Sequence, residues 1–182
     1  MSEPRISPLA PDELDDETRA ILGRGPLLNI FATLARHPKL LKRWLVFGSH
    51  ILTKNTLPAR DRELLILRTG WNCRAPYEWG QHVVIARASG ITDEEIARIA
   101  DGPDREGWDD GDATLLRAAD ELHDEQTLHE DTYRALAARY RAEQLLDIVF
   151  TVGQYHLVCL ALNTFRVERD DGVSGVPIPS RE

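Results

Sequence analysis

The chain has 182 residues, 42% of them apolar and 29% charged, with 30 acidic against 22 basic side chains and a net charge of -8. That length suits one domain with a core of ordinary size. The acidic balance and the absence of a Lys/Arg cluster that could follow a phosphate backbone exclude nucleic acid as the expected partner.

The start, MSEPRISPLAPDELDDE, is polar and acidic where a secretory leader needs a basic start and an apolar run, and no stretch is read as a membrane span. A cytoplasmic protein without a membrane partner is expected. Only Cys73 and Cys159 are present, which argues against a disulfide scaffold and leaves no Cys-rich metal site. Two reduced, inert thiols are the expectation.

Apolar residues recur at three- and four-residue spacing and alternating β-branched runs are missing, so the fold class is all-α. Residues 1–10 read as a flexible lead, 11–167 as a single helical domain and 168–182 as an extended tail. Helix 11–22 opens with acids, as the positive end of the helix dipole favours, and GRGP at 23–26 ends it. Helices 27–36 and 40–52 follow, separated by HPK. Pro58 suits the first turn of a helix to Trp71, whose centre LLIL at 64–67 is apolar all round and should be buried.

Pro76 opens the next helix, which stops at Gly90. TDEE at 92–95 has the form of a capping box and starts a short helix to Ala100. The segment 101–112, rich in turn formers and acids, reads as a surface loop. A helix over 114–124 comes next, then TLHE at 127–130 as a second capping box before a helix over 133–140. The last helix, 142–167, is long and mostly apolar, suited to the core or to a subunit interface, and Gly153 should interrupt it.

The chemistry concentrates in NCRAPYEWGQH, residues 72–82. Positions four apart share a helix face, so Glu78 and His82 can touch, with Trp79 beside them. A carboxylate orients an imidazole and raises its basicity, which makes the two a candidate proton-transfer pair, although by spacing alone such pairs are more often solvated or capping pairs. In a strict hairpin of the two central helices Glu63 and His82 would stand at different heights. Glu63 is then a dipole partner or an ion pair to Arg60.

The run LPARDRELLILRTGWNCRAPYEWGQHVVIARASGITDEEI, residues 57–96, strongly resembles the carboxymuconolactone decarboxylase family, which includes the alkylhydroperoxidase D-like proteins. The resemblance implies a helical bundle of about seven to nine helices. It also implies a homo-oligomer (dimer, trimer or hexamer). In the alkylhydroperoxidase D-like branch the motif is Cys-x-x-Cys-x-x-x-His, with a Tyr before the second cysteine and a Glu nineteen positions before the histidine. Anchored on His82, the Glu falls on Glu63 and the Tyr on Tyr77, but the two cysteines fall on Ala75 and Glu78. By this resemblance Glu63 joins His82 in one pocket, and thiol peroxidase chemistry at those positions is lost.

The decarboxylase branch, which also has YEW followed by His, resembles the chain better. It implies cofactor-free acid–base chemistry, decarboxylation or isomerisation, on a small carboxylated or lactone-like molecule. His82 is then the proton donor, Glu78 its orienting partner or a second acid, and Glu63 a relay or positioning group. Tyr77 and Trp79 join the pocket, while Arg68 and Arg74 are candidates for a substrate carboxylate, or in Arg74's case a surface charge.

Gln154, Tyr155, His156 and Asn163 are polar groups in an apolar helix; they either satisfy the core or line the pocket, Tyr155 and His156 being the likeliest to do the latter. His37, His123 and His129 read as capping or surface residues. Glu78 and His82 lack the third ligand of a catalytic zinc and no Gly-rich phosphate loop is present, so no metal and no cofactor are expected. The competing functions are a thiol peroxidase using Cys73 or Cys159, and a non-catalytic oligomeric binding protein.

Overall fold

A computed structural model of the chain describes residues 3–170, and among these the regular elements are nine α-helices with no strand. They are α1 (Asp16–Leu22), α2 (Asn29–Leu34), α3 (Pro38–Thr53), α4 (Ala59–Asn72), α5 (Pro76–Ala88), α6 (Asp93–Asp101), α7 (Asp110–Asp124), α8 (Glu130–Arg139) and α9 (Ala142–Phe165). The all-α expectation holds.

The α4 helix is the axis of the fold and packs against α5, α6, α7 and α9. Its LLIL run explains why: Leu64, Leu65, Ile66 and Leu67 are all fully buried, each removal of such a side chain from water contributing about 2 kcal/mol. Leu64, Leu65 and Leu67 join Trp79, Val83, Ile96, Ile99, Leu115, Leu116 and Ile148 in the main core. A smaller cluster of Ile30, Tyr77, Val158 and Leu162, with Phe31 and Trp44 against it, brings α2 and α3 onto α5 and α9 and builds the wall of the site.

The Thr92 box forms as expected: its hydroxyl accepts from the Glu95 N–H while the Glu95 carboxylate accepts from the Thr92 N–H. Other local expectations change. The 101–112 segment ends inside α7, because Asp109 caps the helix by accepting from the Asp112 N–H at 2.8 Å. At TLHE no box forms, since α8 begins two residues later than Thr127 would require and His129 is its N-cap. The capping is done from another helix instead: Glu121 of α7 accepts from the His129 N–H and the Thr132 hydroxyl, at 2.8 and 2.6 Å.

Gly153 does not interrupt α9, which runs unbroken for 24 residues with Gly153 on an open face. By length and composition α9 could cross a membrane, contrary to the expectation from sequence, but half of its most apolar window is buried against the body of the fold. Leu146, Phe150, Leu157 and Leu160 remain exposed on its other face.

The lead is not loose over its described part. Arg5 donates its backbone N–H to Phe165 at 2.9 Å, Leu9 donates to Ala32 at 3.1 Å, and the Arg36 side chain donates to the Ser7 carbonyl at 2.6 Å. Of the expected extended tail, residues 171–182 lie outside the described residues. Asp170 turns back over α5, accepting from the Gln81 amide at 3.0 Å, from the Asn29 N–H at 2.9 Å and from the Tyr77 hydroxyl.

Candidate functional site

The α4–α5 link is short: Cys73 caps α4, Arg74 takes a left-handed conformation with φ 49°, and Ala75 donates back to Gly70 at 2.9 Å. A hairpin about this link sets Glu63 opposite roughly residue 85, an offset from His82 of about 4.5 Å. Two long side chains span that distance. His82 donates from Nδ1 to Glu63 Oε2 at 2.7 Å, and its Nε2 pairs with Glu78 Oε1 at 3.0 Å, so three helical side chains form one line.

Glu63 is completely buried, and its other oxygen accepts from Arg62 Nε and Nη2, both at 3.0 Å. Glu63 does not pair with Arg60, which is held by Glu95 and Asp112. Sequence spacing hid the Arg62 contact, because neighbouring residues on a helix do not face each other. The Tyr155 ring meets the His82 ring edge-on, with centroids 4.8 Å apart. Burial works against the charged imidazole, but the hydrogen bonds to Glu63 and Glu78 outweigh it and raise the His82 pKa to about 9. Burial, with the charges of Glu78 and Glu63, holds the Tyr155 hydroxyl well above its usual range and therefore neutral.

This line borders a pocket of about 200 Å³ whose wall includes Trp44, Tyr77, Glu78, His82, Gln154 and Tyr155. No Arg or Lys is among the residues lining it. Gln154 is buried and its Oε1 has no hydrogen-bond partner, an orphan acceptor of the kind that costs about 1–3 kcal/mol when left unmade.

The other expected site residues are elsewhere. Trp79 is a core residue: it is fully buried, its ring packs on Trp71 with centroids 5.2 Å apart, and it does not line the pocket. Arg68 holds Asp120 with two bonds of 2.6 and 3.0 Å and donates to the carbonyls of Ile99 and Ala100 at the end of α6. It ties α4 to α6 and α7 and does not line the small pocket. Arg74 and His156 line a different and larger cleft, of about 910 Å³, together with Cys73, His123 and Cys159.

In that cleft the two thiols come together. Cys73 takes a hydrogen bond from Cys159, which with the nearby His156 and His123 draws its pKa down to about 5 against the effect of burial. The two thiols, expected to be reduced and inert, thus lie side by side, not joined by a disulfide. His123 was read as a capping or surface residue; its Nδ1 lies 3.9 Å from Cys73 Sγ and 2.8 Å from His156 Nε2. No spacing rule links residues 73, 123 and 156.

The sequence model described as "Carboxymuconolactone decarboxylase family" matches residues 38–121, a stretch that includes Glu63, Glu78 and His82, in agreement with the resemblance over residues 57–96. Among curated proteins none matches the sequence.

Solved structures share the fold. An uncharacterized peroxidase-related protein from Ralstonia eutropha, with an alkylhydroperoxidase AhpD core, is 20% identical over 93% of this chain and 95% of its own, with a TM-score of 0.78. An uncharacterized peroxidase-related protein from Silicibacter sp. is 13% identical, covering 97% and 98% of the two chains, with a TM-score of 0.80. The debrominase Bmp8, solved with 2,3,4-tribromopyrrole, is 14% identical over 91% of each chain, with a TM-score of 0.70.

Proposed function

We propose that the protein is a cofactor-free acid–base enzyme that moves a proton on a small, neutral, lactone-like or other enolisable carbonyl compound. The observation that carries this reading is the Glu63–His82–Glu78 line ending at the small pocket. A purely structural ion pair would not need an adjoining cavity or an orphan acceptor in its wall.

The geometry changes the division of labour expected from sequence. Both His82 nitrogens are engaged, so His82 is the middle of the relay and Glu78 its end. Glu78 Oε1 pairs with His82, which leaves Oε2 to take a proton from carbon next to a carbonyl and return it to a neighbouring position. The neutral Tyr155 hydroxyl donates to the enolate oxygen formed between the two steps, a contribution worth about 10²–10³ in rate for one such donor. Glu63, fixed by Arg62, keeps His82 charged and oriented.

The pocket also narrows the substrate class. Its volume lies below the roughly 300–1,000 Å³ of drug-sized sites, and its lining lacks a guanidinium for a carboxylate. Isomerisation of a neutral molecule is thus favoured over loss of carbon dioxide. Gln154 Oε1 selects a substrate bearing a hydroxyl or N–H donor. Completing the reading, a second copy of the chain covers the exposed apolar face of α9 in a cytoplasmic homo-oligomer.

The test is a panel of small lactones and cyclic ketones in deuterated water, followed by NMR for deuterium entry next to the carbonyl. Wild type should exchange at least one of them, with Glu78→Gln slower by about 10²–10⁴. Equal rates in wild type, Glu78→Gln and His82→Ala would sink the proposal.

A further inference from the structure

The larger cleft gathers groups that the relay does not use. Cys73 sits at the C-terminal cap of α4, His123 in the last turn of α7 and His156 in the middle of α9. Their three ligand atoms lie within 4.8 Å of one another, and each of the three residues is partly exposed to the cleft. We propose that Cys73, His123 and His156 form a binding site for a zinc-class transition metal ion, with the fourth coordination position open to the cleft.

The distances lie within reach of such an ion. Tetrahedral zinc, with Zn–S about 2.3 Å and Zn–N about 2.0–2.1 Å, separates its ligand atoms by about 3.3–3.6 Å. The observed 2.8 Å between the two imidazole nitrogens and 3.9 Å between Cys73 Sγ and His123 Nδ1 bracket that span. With the third pair inside 4.8 Å, closing around an ion needs shifts of up to about an ångström, within the reach of side-chain rotation. The ion would take the place of the proton that the two imidazole nitrogens now share.

The ligand types agree with the geometry. One thiolate and two imidazoles suit zinc, copper or nickel and are poor partners for magnesium or calcium, which take oxygen. Three protein ligands with an open position is the pattern of an exchangeable or catalytic zinc, whereas a structural one is closed by four. Cys159 is buried next to Cys73 but does not belong to the mutually close set. The thiol-bearing cap is itself held in place: Asn163 of α9 donates to the Cys73 carbonyl at 2.9 Å. Metal binding releases to solvent the proton held between the two imidazoles and involves no change of oxidation state.

This site is separate from the Glu63–His82–Glu78 relay in residues and in cavity, so the two can fail independently. The full-length reduced protein would be stripped with a chelator, reloaded with Zn²⁺ or Co²⁺, and dialysed before metal analysis and absorption spectroscopy. Wild type should retain about one ion per chain, and the Co²⁺ form should show a thiolate-to-cobalt charge-transfer band. Cys73→Ser should lose that band, and Cys73→Ser and His156→Gln should each bind at least about tenfold more weakly. Cys159→Ser and His82→Ala should keep both band and stoichiometry, with circular dichroism confirming that every variant is folded.

Substoichiometric metal in reduced wild type overturns the proposal. So does undiminished binding in folded Cys73→Ser. A Cys73–Cys159 disulfide forming in air, in protein that retains no zinc when reduced, would instead make the pair a redox couple.

Discussion

The two clusters of reactive side chains in this molecule are built in opposite ways. The relay draws Glu63, Glu78 and His82 from two consecutive helices, buries them, and seats them beside a pocket of about 200 Å³ with no Arg or Lys in its wall. The thiol–imidazole cluster draws Cys73, His123 and His156 from three helices distant in sequence, leaves them partly exposed, and faces a cleft of about 910 Å³ lined also by Arg5, Arg74, Arg166 and Arg169. Burial makes the first a place where a proton can be held against solvent. Exposure and guanidinium groups make the second a place where a charged species can arrive and leave.

The sharpest way to break this division is to disable one region and assay the other. His82→Ala should reduce deuterium exchange of any accepted substrate by about 10²–10⁴, which corresponds to about 3–5 kcal/mol of barrier. Cys73→Ser should leave that exchange within about twofold. If the cysteine variant loses exchange as well, the two clusters are one site.

A pH titration of stability comes next in size. The groups facing His82 are Glu63 and Arg62 of α4, Glu78 of α5 and Tyr155 of α9. Its pKa is raised on folding from 6.5 to about 9. Stabilisation from the imidazolium is thus complete below about pH 6.5 and is lost as pH rises through about 9, a change on the order of 3 kcal/mol. Urea unfolding from pH 6 to pH 10 should show this fall, and His82→Gln should flatten it.

Arg68→Ala tests an arginine expected at the substrate that lines neither region. Losing both bonds to Asp120 and the capping of α6 should lower stability by about 2–3 kcal/mol in urea unfolding. Substrate KM should not change; a raised KM would return Arg68 to the substrate. The smallest effect is expected from Asn163→Ala, which frees the Cys73 carbonyl and should cost about 1 kcal/mol of stability while leaving exchange at the relay intact.

The relay was largely legible in the sequence. Glu78 and His82 are one helical turn apart, and the resemblance over residues 57–96 joined Glu63 to them. Their roles were not legible, because only the contacts at both His82 nitrogens show that the histidine is internal and the carboxylate terminal. Trp79 and Arg68 read as pocket residues since they neighbour it in sequence, yet one turns into the core and the other toward α6 and α7. A residue's place on its helix fixes the direction in which it leaves, while the packing partner decides what it meets.

The amino-acid pattern alone determined the all-helical class, most helix bounds, the burial of LLIL and the Thr92 box, because helical period, capping and hydrophobic burial are local or nearly so. Tertiary structure decided that Glu121 caps α8 from a neighbouring helix, that Gly153 stays helical, and that Cys73 meets His123, His156 and Cys159. Those contacts join residues up to 86 positions apart, from Cys73 to Cys159. Such proximity comes from the crossing of α4, α7 and α9, to which no periodicity within a single helix gives access.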